Sequence, residues 1–162
     1  MVSADDIVRL HGLGPHPEGG FFRETYRSRQ TAAFPGFPGT RSLSTAILFL
    51  LPAGAKSHLH RIRSDEAWHF HLGGPRRLVE LAPDGGVRDT TLGADPAAGH
   101  RLQHVVPAGT WFGAEPLPGS PYSLVGCTVA PGFDFADFEL GRRADLAARF
   151  PDARTLVEGF TG

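Results

Sequence analysis

The sequence predicts an all-β protein, an antiparallel sandwich or barrel with a short helix near each end. Three observations carry this expectation. Short runs rich in Val, Ile, Leu, Phe and Thr recur at roughly 8–12-residue intervals, bounded by turn residues. Glycine (21) and proline (14) are abundant without any repeat, which implies many tight turns. Strands do not alternate with helices, so a parallel sheet is not expected. The 162 residues suit one domain, 1–162, long enough to bury a core without a disulfide or a structural metal.

The elements follow in order. Residues 3–11 predict a short helix: Ser3 can cap it, Asp5 and Asp6 sit where the helix dipole favours negative charge, and Ile7 and Leu10 share a face. His16-Pro-Glu-Gly-Gly20 breaks that helix, and His16 reads as a loop residue. Phe21–Ser28 is extended, and Thr31–Gly39 (TAAFPGFPG) reads as an irregular surface loop.

From Ser42 the pattern is strand after strand. Ser42–Leu51 ends at Pro52-Ala-Gly54, and Lys56–Arg61 is short. Glu66–Leu72 is closed by Gly73-Gly74-Pro75. Arg76–Leu81 and Val87–Thr91 flank a turn at Pro83–Gly86. Arg101–Val106 ends at Pro107-Ala-Gly109, Thr110–Gly113 continues, and Tyr122–Ala130 is long. Phe133–Leu140 alternates aromatic and acidic residues, with aromatics on both sides, as expected of a strand covered on both faces by a dimer partner. Arg143–Phe150 closes the chain as a helix that Pro151 ends.

Composition excludes several function classes. The net charge is −1 with both signs mixed along the chain, so no nucleic-acid surface is expected. The pairs Arg76–Arg77 and Arg142–Arg143 read as solvated. The longest apolar stretch, Ala46–Leu51, is too short to cross a membrane. MVSADDIVRL has no basic region followed by an apolar run, so no secretory signal is expected. Cys127 is alone, which fits a reducing, cytoplasmic setting and a buried core thiol.

The chemistry concentrates between Gly54 and Gly73. Residues i and i+2 of a strand point to one side, so His58 and His60 can project together, and Glu66, Trp68 and Phe70 share a face of the next strand. Two imidazoles and a carboxylate converging inside a barrel suit a divalent transition metal such as Zn, Ni, Fe or Mn. His58, His60 and Glu66 are therefore the candidate metal ligands, and His60 and Glu66 the candidate catalytic groups. Trp68, Phe70, Gln103, Trp111 and Tyr26 are candidate contacts for a small-molecule ligand, with Trp111 and Phe112 lining the barrel. His69 and His71 fall on the opposite face.

These residues resemble the first motif of the cupin superfamily: His58-Leu-His60, then Glu66, then Gly73. The gap of five residues between His60 and Glu66 is longer than in that motif, and Gly54 stands closer to His58 than the motif's glycine does. Pro107-Ala-Gly109-Thr-Trp111-Phe112 resembles the second motif, but Phe112 stands where a last histidine ligand belongs. His104 and Gln103 are the nearby substitutes, of which alternation lets one face inward.

Longer blocks are similar to one uncharacterised branch, the fifth cupin family: Pro15–Ser28, Arg41–Gly54, Ser57–Pro75, Gln103–Ala114 and Leu124–Leu140. The resemblance implies an RmlC-like jelly roll, the cupin double-stranded β-helix, and a homodimer; it implies no activity. Weaker is a similarity to the dTDP-sugar 3,5-epimerases, through Leu59-His60 and Gly20-Phe-Phe22-Arg-Glu24. That similarity implies metal-free proton abstraction beside a carbonyl on a sugar-like ligand, with His60 as base and Tyr26 or Tyr122 as acid. A binding module without catalysis is the remaining expectation.

Overall fold

The computed structural model describes residues 2–162. Helix α1 (Ala4–His11) opens it. The Ser3 hydroxyl accepts from the Asp6 N–H while the Asp6 carboxylate accepts from the Ser3 N–H, a reciprocal cap that satisfies two otherwise orphaned donors.

Thirteen strands follow: β1 (Gly14–Pro15), β2 (Phe21–Arg27), β3 (Thr31–Ala33), β4 (Thr40–Ser42), β5 (Thr45–Pro52), β6 (Ser57–Arg61), β7 (Asp65–Gly73), β8 (Arg76–Leu81), β9 (Val87–Leu92), β10 (Gln103–Val106), β11 (Trp111–Pro116), β12 (Tyr122–Ala130) and β13 (Glu139–Leu140). Helices α2 (Arg143–Arg149) and α3 (Arg154–Gly159) close the chain. Six strands form one sheet in the order β1-β2-β5-β12-β7-β10, and five form the other, β13-β6-β11-β8-β9. Every strand pairing within them is antiparallel. Two such sheets face to face make a jelly-roll sandwich.

Three apolar layers explain why β5 and β12 are apolar almost throughout. Between the sheets lie Phe49, Leu51, Trp68, Leu78, Phe112 and Val125. Outside the five-stranded sheet, Leu59, Val79, Leu81 and Trp111 are covered by Leu146 and Phe150 of the C-terminal region and by Val157 and Phe160. Outside the six-stranded sheet, Leu50 and Leu124 are covered by Ile7 and Leu13. Each such residue, fully buried, contributes about 1.5–3 kcal/mol.

Four expectations need correction. Residues 31–39 are not wholly irregular: β3 and β4 pair as a hairpin, because Pro35 and Pro38 fall in the tip and leave the ladder amides free. Phe133–Leu140 is not one strand: the Asp134 carboxylate accepts the Ala136 N–H and folds Phe135–Asp137 into a single 3₁₀ turn. That local bond competes with sheet pairing. Pro151 ends α2 but does not end helical structure, since α3 follows and buries Val157. Arg76 is fully buried, whereas Arg77 faces outward to Asp89 and Glu115. Strand alternation splits the pair, one inward and one outward. No helix among the described residues is long and apolar enough to cross a membrane.

Candidate functional site

One end of the space between the sheets opens as a cavity of about 290 Å³. Its walls are largely aromatic: Phe22 and Phe49 from the sheet, and Phe133, Phe135 and Phe138 from the segment after β12. Its polar groups are His16, Glu18, His60, Glu66 and Cys127, with Glu24, Arg27 and Asp134 at the rim. Arg27 grips Glu24 through Nε and Nη2, each at 2.8 Å, and Nη2 also donates to the Phe133 carbonyl. This ties the aromatic segment to β2.

Glu18 enters the barrel from the turn between β1 and β2. Gly19 and Gly20 hold positive φ of 110° and 77°, and a Cβ on Gly19 would stand 2.1 Å from the Lys56 carbonyl oxygen. Only glycine allows this approach, which presses Glu18 against β6. There the Ser57 hydroxyl donates to Glu18 Oε1 at 2.9 Å, and the His58 backbone N–H donates to the Glu18 carbonyl at 2.8 Å.

His60 completes the arrangement. Its Nδ1–H donates to the His58 carbonyl at 2.8 Å, and its Nε2 lies 2.8 Å from Glu18 Oε2. Burial opposes the charged imidazole, but the Glu18 charge and hydrogen bond outweigh it and hold the His60 pKa above its usual value. Burial likewise works against the Glu18 carboxylate, and His60 outweighs it, so Glu18 lies below the usual range. The two form an imidazolium–carboxylate pair. Phe112 packs on His60 with ring centroids 4.1 Å apart.

Glu66 shares the interior with this pair but has no arginine or lysine partner: Arg61 pairs with Glu139 and Arg63 with Asp137. Burial pushes its pKa up to about 7; His60 opposes and the Glu18 charge reinforces the rise. Cys127 and Trp68 are its neighbours. Burial and the Glu66 charge raise the Cys127 thiol well above its usual value, so it stays protonated. His16 accepts the Glu18 backbone N–H at Nδ1, and burial lowers its pKa, so it is a neutral imidazole set edge-on to Phe22.

Of the residues singled out in the sequence, the cavity unites His60 and Glu66. His58 is not among its lining residues. A register shift between Phe112 and Ala114 opposite β6 gives Ser57, not His58, the face that His60 shares. Trp68 is buried in the core, with Phe70 packed half-buried against it. Trp111 lies on the outer face under the C-terminal helices, where Arg61 stacks on it at 4.6 Å, so it does not line the barrel. Gln103 points outward and donates to His69 Nδ1 at 2.7 Å, while its neighbour His104 turns inward to Glu80. Tyr26 is exposed beyond an irregularity in β2. None of these five ligand-contact candidates lines the cavity.

Glu18 and His16 are the residues that the sequence reading missed. Their signal was present in Gly19-Gly20 after a Pro-Glu pair: two glycines in succession mark a place where backbone must come close.

The donors do not fit a metal. Among the described residues, no group of three or more His, Cys, Asp or Glu is placed to hold one. His60 already uses both nitrogens, and Phe112 occupies the position of a further histidine.

Three comparisons place the chain. Residues 5–141 match the family model described as Cupin superfamily (DUF985). The crystal structure of protein SO0799 from Shewanella oneidensis is 41% identical, with a TM-score of 0.91 over 100% of this chain and 99% of that one. A hypothetical protein from Leishmania major is 33% identical, with a TM-score of 0.92 over 98% of each chain. The uncharacterised protein YML079W of Saccharomyces cerevisiae is 33% identical over 83% of this chain and 73% of its own length.

Proposed function

Because the chain belongs to the cupin superfamily, in the family of unknown function designated DUF985, we propose that its barrel binds one compact molecule and moves a proton on it, with Glu66 giving and taking the proton. The observation that carries this reading is Glu66 itself. It is a buried carboxyl without a basic salt-bridge partner, it lines the cavity, and its pKa is about 7. A group poised near neutral pH exists in both forms and suits general acid–base chemistry.

The roles follow from geometry. The Glu66 carboxylate takes a proton from carbon next to a carbonyl, and the carbon–hydrogen electron pair moves into an enolate. Glu66 then returns the proton, to the same face of that carbon or to a neighbouring carbon. His60 is not the base, since both its N–H groups are engaged; its positive charge faces the cavity and stabilises the enolate. Glu18 keeps His60 charged and fixed. The aromatic walls exclude water and hold the apolar body of the ligand. At about 290 Å³ the cavity is at the small end of ligand sites, which run from roughly 300 Å³ upward. A short keto acid or hydroxyketone fits this reading better than an extended polar sugar.

The test is exchange in D₂O. A panel of short keto acids and hydroxyketones is incubated with the protein and followed by proton NMR. Wild type should wash deuterium into at least one compound, and Glu66→Gln should slow this by about 10²–10⁴-fold while still binding it. Exchange undiminished in Glu66→Gln would overturn the assignment. A compound that binds with no exchange would make the barrel a binding module.

A further inference from the structure

Arg76 is the least accounted-for charge in the molecule. It begins β8, points between the sheets and is 0% exposed. Its guanidinium lies over the rings of Phe49 and Trp68, at 5.1 and 5.4 Å from their centroids. One nitrogen, Nη2, donates to the Ser123 carbonyl. The other two, Nε and Nη1, are buried without any partner among the described residues, and so is the hydroxyl of Ser123, the residue whose carbonyl takes Nη2. No carboxylate lies within ion-pair distance; Glu18 and Cys127 act on it only through space.

A guanidinium has five N–H donors and accepts nothing. Buried charge is tolerated when it is paired and hydrogen-bonded, and buried donors almost always find acceptors. Here two nitrogens of a cation and a hydroxyl end without one, between two aromatic faces that supply no acceptor lone pair. Burial lowers Arg76 only to about 10, so it stays charged at neutral pH. A small anion that accepts several hydrogen bonds would answer the charge and these donors together.

We infer that Arg76 and the Ser123 hydroxyl form a closed anion site in the barrel interior, taking a small monovalent anion, a carboxylate or a halide. The site lies apart from the residues that line the Glu66 cavity. Formate and acetate stand for a small carboxylate, chloride and bromide for a halide. The inference stands independently of the proton-transfer reading, because neither variant in its test alters Glu66.

Thermal unfolding of the full chain reads it, in sodium chloride, bromide, formate or acetate. Total ionic strength is held constant with sodium gluconate, whose anion is too large for the site. An anion bound only by the folded state raises Tm with saturating concentration dependence. For a chain of this size the rise is about 3–6 °C at ten times the dissociation constant. A rise with halides alone identifies a halide site, a rise with formate and acetate alone identifies a small-carboxylate site, and a rise with both identifies a general anion site. Arg76→Met, which keeps the length and removes the charge, should abolish the rise. Arg76→Lys should retain it in weakened form, and serves alone if Arg76→Met does not fold. No rise in wild type, or an equal rise in Arg76→Met (an unweakened one in Arg76→Lys if that variant stands alone), would overturn the inference.

Discussion

His60 Nε2 lies 2.8 Å from Glu18 Oε2 inside the barrel, where the sequence motif had suggested a second histidine and a metal. That contact changes what His60 can do. An imidazole with one N–H on a backbone carbonyl and its other nitrogen on a carboxylate has no free lone pair. It is a fixed positive charge, and the carboxyl that burial raises to a pKa of about 7 is Glu66.

The pair sets the first prediction. Glu18→Gln leaves His60 buried without its counter-charge. Removing one partner of a buried pair costs about 3–5 kcal/mol. His60 has a raised folded pKa, so its contribution is complete below its unfolded pKa and fades as pH rises through the folded one. The loss in Glu18→Gln should be larger at pH 6 than at pH 8.5 by urea unfolding. Replacing both partners with apolar residues, Glu18→Leu with His60→Phe, should restore most of it. An equal loss at both pH values would contradict the charged pair.

Glu66 gives the second. Its pKa rises from 4.5 to about 7 on folding. Between those values the folded state holds a proton that the unfolded state has released, so this group makes stability fall as pH rises. The full effect is about 3 kcal/mol above pH 7, at 1.36 kcal/mol per unit. Glu66→Gln removes it. The variant should gain on wild type steadily from pH 4.5 to pH 7.5 in thermal unfolding. A difference that does not vary with pH would place the Glu66 proton elsewhere.

The third concerns metal. With both His60 nitrogens occupied and His58 off the cavity wall, untagged protein should carry well under one equivalent of Zn, Ni, Fe or Mn by plasma mass spectrometry. His58→Ala should not alter the content. Stoichiometric metal lost in His60→Ala would mean that Glu18 gives up its bond to make room for an ion.

The fourth concerns the aromatic segment at the cavity mouth. Arg41 holds Asp137 through two hydrogen bonds, Nε to Oδ2 at 2.7 Å and Nη2 to Oδ1 at 2.9 Å. That joins the β3–β4 hairpin to Phe133–Phe138. Asp137→Asn should speed amide exchange in residues 133–138 and weaken ligand binding, with the core strands unchanged. Unaltered exchange there would show that the bonds of Arg27 and Thr45 to Phe133 suffice to hold the segment.

The sequence by itself determined the fold class and most strand positions. Periodicity, turn residues and apolar runs are local, and a jelly roll is assembled from such local pieces. It also located His60 and Glu66, because strand alternation is set by the backbone of each strand.

Only the tertiary structure decided how the site is built. Glu18 sits in a turn far along the chain from β6 and reaches His60 because Gly19 and Gly20 let two backbones touch. His58 lost its place to a register shift that depends on the partner strand. Trp111 and Trp68 look alike as strand aromatics, but one packs under the C-terminal helices and the other between the sheets. Arg76 and Arg77 are neighbours of one chemical kind, and the sheet sent one to solvent and one into the core. Which face of a strand meets which layer is a relation between distant segments, and local sequence carries no record of it.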